Sequence, residues 1–152
     1  MEMVSSRQSA NGGFQTTLTK DRSCDESPTV LVVDDDSAMR TLLKDWLERG
    51  GFRVIEESSA DGLLTAARAT ELDVVVLDKE MPGQSGFDVL PAFHRRWPDV
   101  PVIVITAFGG DAVAEEALRL GARMYLEKPF QLRALLEAVQ DATRGSRRAG
   151  AP

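Results

Sequence analysis

Thr29–Val33, Asp73–Leu77 and Pro101–Ile105 are short, rich in β-branched residues and apolar on both faces. That pattern predicts strands covered by helices on each side, not strands with one wet face. Phe52–Ile55 and Arg123–Leu126 are weaker strand candidates. Between these runs the period changes to that of a helix. Met39, Leu42, Leu43, Trp46 and Leu47 recur at i, i+3, i+4, i+7 and i+8, one stripe facing a core, and Gly50-Gly51 ends that helix. Ala60, Leu63, Leu64 and Ala67 form a second stripe, entered through Ser58-x-x-Asp61, a start like a capping box. A third helix is expected from about Ser85 to Trp97. Pro91 falls inside it, at a cost of ~3 kcal/mol in a regular helix interior, which predicts a kink or a late start. Asp111 can cap a fourth helix that Gly121 ends, and Leu132, Leu135, Leu136 and Val139 mark a fifth.

Strand and helix thus alternate five times. This order predicts an α/β domain with a parallel sheet, right-handed crossovers and helices on both faces. Sheets of this kind hold their ligands at the carboxyl ends of the strands, near a topological switch point. Residues 1–28 are rich in Ser, Thr, Gln, Asn and Gly without an apolar period, so a flexible tail is expected there. The domain is expected over residues 29–142, and residues 143–152 read as a C-terminal tail or the stub of a linker. No internal repeat is present.

A chain of 152 residues suits one domain. Lys+Arg 18 against Asp+Glu 24 gives a net charge of −6, a poor match for nucleic acid or an anionic membrane surface. The single cysteine, Cys24, excludes an internal disulfide framework and a cysteine-built metal site. The single histidine, His94, argues against a histidine-built zinc site and a Ser-His-Asp triad; beside Arg95-Arg96 it reads as part of a solvated helix face. No apolar run approaches the ~20 residues that span a bilayer, and no secretory signal is evident. A cytoplasmic, soluble protein is the expectation.

The chemistry lies in the residues at the strand ends. The first strand ends in Asp34-Asp35-Asp36, the third in Asp78-Lys79-Glu80, the fourth in Thr106-Ala107 and the fifth near Glu127-Lys128-Pro129. In a parallel sheet these ends share one edge, so carboxylates, a hydroxyl and an ammonium converge there. Two carboxylates ~4 Å apart repel by roughly 4 kcal/mol at an effective dielectric of 20, and a cluster of them raises its own pKa values or takes up a cation. A hard divalent ion with oxygen ligands answers that need, and Mg²⁺ fits best because it keeps waters and shares phosphate oxygens. Such an edge suits phosphoryl chemistry. Asp78 stands alone at the end of the central apolar strand, before the turn Met81-Pro82-Gly83, and is the candidate nucleophile that forms an acyl phosphate. Asp34 and Asp35 would hold the metal, Lys128 would neutralise phosphoryl oxygens, and the Thr106 hydroxyl would donate to one of them.

Four motifs, in order, carry a family resemblance: Val-Leu-Val-Val-Asp34-Asp35-Asp36; Leu77-Asp78-x-x-Met81-Pro82-Gly83-x-x-Gly86; Val-Ile-Thr106-Ala107; and Gly121-Ala122-x-x-Tyr125-Leu126-x-Lys128-Pro129-Phe130. From about Thr29 to Ala142 the sequence resembles the CheY-like receiver domain of two-component response regulators. The resemblance implies a flavodoxin-like five-stranded sheet in the order 2-1-3-4-5. It implies Asp78 as phosphoacceptor, with Asp34, Asp35, Asp78 and the Glu80 backbone carbonyl around Mg²⁺ (or Mn²⁺). It also implies Thr106 as the switch hydroxyl, Tyr125 as the switch aromatic, Lys128 as the site lysine and a cis Lys128–Pro129 peptide. Glu80 and Phe108, each two residues after a site residue, stand where the family tunes the lifetime of the acyl phosphate. Gly109-Gly110 predicts a mobile loop after Phe108. The implied partners are a sensor histidine kinase or phosphotransfer protein and a downstream effector, with a phosphorylation-dependent homodimer left open and neither nucleic acid nor membrane bound by this domain. The implied activity is limited to the domain's own phosphorylation and slow dephosphorylation, with a changed surface at residues 106–140.

Two rivals stand beside this reading. Asp78-Lys79-Glu80 superficially resembles the Asp-x-Asp of haloacid-dehalogenase-type phosphatases, but there the nucleophile closes the first strand, and here the acid pair comes first. A flavodoxin-like or degenerate receiver scaffold would only bind partners; three aspartates after the first strand oppose a phosphate without a metal.

Overall fold

The computed structural model describes residues 27–150. Most of the expected N-terminal tail, with Cys24, and the last two residues lie outside them. In chain order the elements are β1 (Thr29–Val33), α1 (Ser37–Arg49), β2 (Arg53–Glu57), α2 (Ala60–Ala69), β3 (Val74–Asp78), α3 (Gly86–Arg96), β4 (Val102–Thr106), α4 (Asp111–Arg119), β5 (Met124–Glu127) and α5 (Leu132–Gly150). The strands form one parallel sheet in the order β2-β1-β3-β4-β5. The order reverses between β1 and β3, so the crevice at their carboxyl ends is the switch point.

All residues of β1, β3 and β4 are buried, as two-sided apolar strands require. Their alternating side chains feed two cores. Val30, Val32, Val74, Val76, Ile103 and Ile105 pack with Leu43 and Leu47 of α1 and with Leu135 and Val139 of α5. Leu31, Val33, Val75, Leu77 and Val104 pack with Leu63 of α2, with Leu90 and Phe93 of α3 and with Ala117 of α4. Two helices therefore cover one face and three the other. Among the described residues no helix is long and apolar enough to cross a membrane.

Several local expectations shift. β2 and β5 lie one or two residues later than the apolar runs suggested, ending on Glu57 and Glu127. In α1, Leu43 and Leu47 are buried while Leu42 is 47% exposed, because the core covers a narrower arc than the five-residue stripe. Helix α2 is capped by Ser59, whose side chain accepts from the Gly62 N–H, one residue later than expected. Helix α3 begins at Gly86 with a complete Ser85/Asp88 capping box and runs through Pro91 without a late start. In α4 the cap position is Gly110, and Asp111 is the first helical residue. His94 is only half-exposed: its Nδ1 is buried and finds no hydrogen-bond partner among the described residues. Its ring lies so close to Gly121 that a Cβ there would come within 2.7 Å. The solvated-face reading fails because the end of α3 packs on the turn before β5.

The last helix runs on past residue 143. Helix α5 continues to Gly150, and Ala142 and Thr143 are buried. Residues 143–150, expected as a tail or linker stub, are helical.

Candidate functional site at the strand ends

Parallel pairing brings the ends of β1, β3 and β4 level. Leu31 pairs with Val75 and Val33 with Leu77, while Asp78 pairs with Ile105. Asp34 therefore leaves β1 beside Asp78, and Thr106 ends β4 on the other side. Asp34 and Asp78 are buried, Asp35 is exposed, and one carboxylate oxygen from each lies within 4.8 Å of the others. The turn backbone fixes two of these acids. The Asp36 N–H donates to Asp34 Oδ1 at 2.9 Å and the Glu80 N–H to Asp78 Oδ1 at 3.3 Å. Asp36 itself takes no part in the cluster: its Oδ1 accepts from the Ala38 and Met39 N–H groups and caps α1.

Lys128 enters from the loop after β5. Its backbone N–H donates to the Thr106 carbonyl at 2.7 Å, and the Lys128–Pro129 peptide is cis, as expected. Its Nζ lies 3.3 Å from Asp34 Oδ2 and 3.4 Å from Asp78 Oδ1. Burial alone would lower the pKa of this ammonium, but Asp34 and Asp78 outweigh burial and raise it above the ordinary lysine value. Burial, with the neighbouring Asp34 charge, pushes Asp78 up to about 7, against the pull of Lys128 and the Glu80 N–H. One ammonium thus under-compensates the acids it bridges.

The turn after β3 is tight. The Gly86 N–H donates to the Lys79 carbonyl at 2.8 Å, and a Cβ on Gly86 would stand 2.5 Å from the Asp78 carbonyl oxygen. Only glycine lets α3 start this close to the strand end.

Thr106, Glu80, Tyr125 and Phe108 are placed differently from a simple convergence on Asp78. The Thr106 hydroxyl donates to Glu80 Oε2, and the Ala107 N–H donates to Glu80 Oε1 at 3.0 Å. Thr106 Oγ1 also accepts from the Phe108 N–H at 3.0 Å, while the Phe108 side chain is 71% exposed. The Tyr125 hydroxyl donates to Glu127 Oε2 at 2.9 Å and accepts from the Gly110 N–H at 3.0 Å. Burial and the Glu127 hydrogen bond raise its pKa. A Cβ on Gly109 would collide with both the Tyr125 hydroxyl and the Glu127 carboxylate, so this glycine permits a close contact. Sequence reasoning missed Glu127 and the Glu80 side-chain contacts. The available signal was the parallel order, which sets the residues after β3 beside those after β4.

The donor set fits a hard divalent cation. It is built of the carboxylate oxygens of Asp34, Asp35 and Asp78, it is acidic beyond what Lys128 neutralises, and Asp78 is destabilised as an anion without further positive charge.

The family model for the response regulator receiver domain matches residues 30–140. The response regulator protein FleR of Pseudomonas aeruginosa is 41% identical over 110 residues, 72% of this chain and 23% of FleR. The transcriptional regulatory protein FixJ of Azorhizobium caulinodans is 40% identical over 115 residues, 76% of this chain and 54% of FixJ. The chain therefore spans about a quarter to a half of the length of these relatives. Among solved structures, a CheY-like response regulator receiver domain from Methanospirillum hungatei superimposes with a TM-score of 0.77 at 26% identity, covering 82% of this chain and all of that one.

Proposed function

This chain belongs to the response regulator receiver domain family, and from that premise we propose that Asp78 is its phosphoacceptor in a two-component phosphorelay. The observation that carries the reading is the buried Asp78 carboxylate, held between Asp34 and Lys128 at the sheet's switch point. A carboxylate oxygen of Asp78 attacks the phosphorus of a phosphohistidine on a sensor kinase or phosphotransfer protein. The new P–O bond gives an acyl phosphate; the P–N bond breaks and its electron pair returns to the imidazole, which is protonated from solvent. Asp34, Asp35, Asp78 and the Glu80 carbonyl would hold Mg²⁺ or Mn²⁺, and such an ion, when bound, supplies positive charge for the phosphoryl oxygens. Lys128 neutralises further charge, and the Thr106 hydroxyl donates to a phosphoryl oxygen once it leaves Glu80.

The signal in this reading is a change of surface. Drawing Thr106 inward moves the loop that carries the Gly110 N–H, which releases the Tyr125 hydroxyl and remodels residues 106–140 for an effector or a second copy. Glu80 and Phe108 flank the path of the hydrolytic water and set how long the acyl phosphate lasts. A cytoplasmic location suits such a relay.

Incubation with acetyl phosphate and Mg²⁺ should add one phosphoryl group to the intact mass, and excess chelator should prevent the gain. Amide spectra of the phosphorylated chain should shift across residues 106–140. Unchanged mass with the metal present counts against the proposal, and spectra that superimpose over residues 106–140 count against the switch.

A further inference from the structure

We propose that Glu80 is an internal stand-in for the phosphoryl group: in the resting chain its carboxylate holds the Thr106 hydroxyl assigned above to a phosphoryl oxygen, together with the adjacent Ala107 N–H, and phosphorylation must evict it. The inference rests on the receiver reading above and goes beyond it by assigning a structural state to the Glu80 side chain. Both carboxylate oxygens are engaged. One accepts from the Thr106 hydroxyl and the other from the Ala107 N–H, at 3.0 Å. Consecutive donors at the end of a buried strand gripping two oxygens of one anion form a bidentate seat. Lys79 Nζ, 3.6 Å from Glu80 Oε2, adds a positive charge.

The seat cannot serve two anions. The Thr106 hydroxyl has one proton, and its lone pairs already accept the Phe108 N–H. While it donates to Glu80 it has nothing to give a phosphoryl oxygen. Glu80 also springs from the turn that fixes the nucleophile, since its own N–H is bonded to Asp78 Oδ1. The occupant therefore sits two residues from the group it excludes. Its side chain remains 29% exposed, so it can swing into solvent without crossing the core. A resting chain stabilised in this way binds a phosphoryl group more weakly than one whose donors are free.

A reach experiment separates this from simple charge repulsion. Glu80→Asp keeps the charge but is one methylene too short to hold both donors; Glu80→Gln keeps the length and removes the charge. The probe is beryllofluoride with Mg²⁺, titrated into the full chain and followed by amide NMR. In Glu80→Asp the resting Ala107 amide should shift before any ligand is added, and the apparent Kd for beryllofluoride should fall about five- to tenfold. Glu80→Gln should also bind more tightly. An unmoved Ala107 amide, or tightening in Glu80→Gln alone, overturns the stand-in in favour of charge. Weaker binding by Glu80→Asp overturns it in the other direction, because Glu80 would then be helping to hold the phosphoryl group. Absence of beryllofluoride binding in the parent chain and both variants removes the receiver reading itself.

Discussion

Asp78→Asn should take up no phosphoryl group from acetyl phosphate, and in chelator it should be more stable than the parent chain above pH 7. The first effect follows from chemistry: an amide oxygen is too weak a nucleophile to displace the leaving group, and the other buried acid of the cluster, Asp34, has both oxygens engaged, Oδ1 by the Asp36 N–H and Oδ2 by Lys128, whereas the contacts of Asp78 fall on Oδ1 alone. The second follows from the electrostatics of the resting site. Asp78 titrates at about 7 when folded because burial and Asp34 oppose its charge, whereas an unfolded aspartate titrates near 3.9. Between these values the folded chain binds more protons than the unfolded one, so this group's contribution to stability falls as pH rises. The cost is absent below about pH 4 and complete above about pH 7. The asparagine carries no such cost. The stability gained by Asp78→Asn should therefore grow through that window by at most ~4 kcal/mol, about three pKa units at ~1.4 kcal/mol each, less the part that water at the partly open site screens. Urea denaturation of both proteins at pH 4.5 and pH 8 measures it. An equal stability difference at the two pH values would show that Asp78 does not titrate as its surroundings require.

Lys128→Ala should lower the rate of phosphoryl uptake by about 10²–10³-fold, the usual effect of deleting one preorganised donor at a charge-developing centre. Its Nζ bridges Asp34 and Asp78, so it stands where a phosphoryl group on Asp78 would meet it. Two readouts keep this role apart from a structural one. Mg²⁺ affinity should stay equal or tighten, because a competing cation has left the acids. The amide spectrum of β1, β3 and β4 should be retained, since these strands are held by the two apolar cores. Uptake at the parental rate would show that the lysine does not serve the transfer; loss of Mg²⁺ binding together with the fold would show a scaffold role instead.

How much of this was legible depended on whether a residue's partner lies on its own element. Val30–Val33, Val74–Leu77 and Val102–Ile105 read correctly because burial on both sheet faces leaves no polar alternation to misread. The positions of Asp34, Asp78 and Lys128 followed from the parallel order alone, since that order puts strand ends together whatever the loops do. Residues that look across to another element were opaque. Leu42 keeps the helical period yet faces outward, because the neighbouring surface is too narrow to cover it. His94 lies beside arginines in sequence but against Gly121 in space. The Glu80 carboxylate reaches Thr106 because β3 and β4 end level, and Tyr125 finds Glu127 because both point from one edge strand toward the Gly109-Gly110 loop. A side chain's direction within a turn depends on the register on both sides, which no single segment encodes.

The most direct test is to find the phosphoryl group. A chain treated with acetyl phosphate and Mg²⁺, then reduced with borohydride, should yield one peptide in which an aspartyl phosphate has become homoserine, and fragment masses should place it at residue 78. Homoserine at residue 34 or 35, or unreduced aspartate at all three positions in a chain that has gained phosphate, would contradict the assignment of Asp78 as the acceptor.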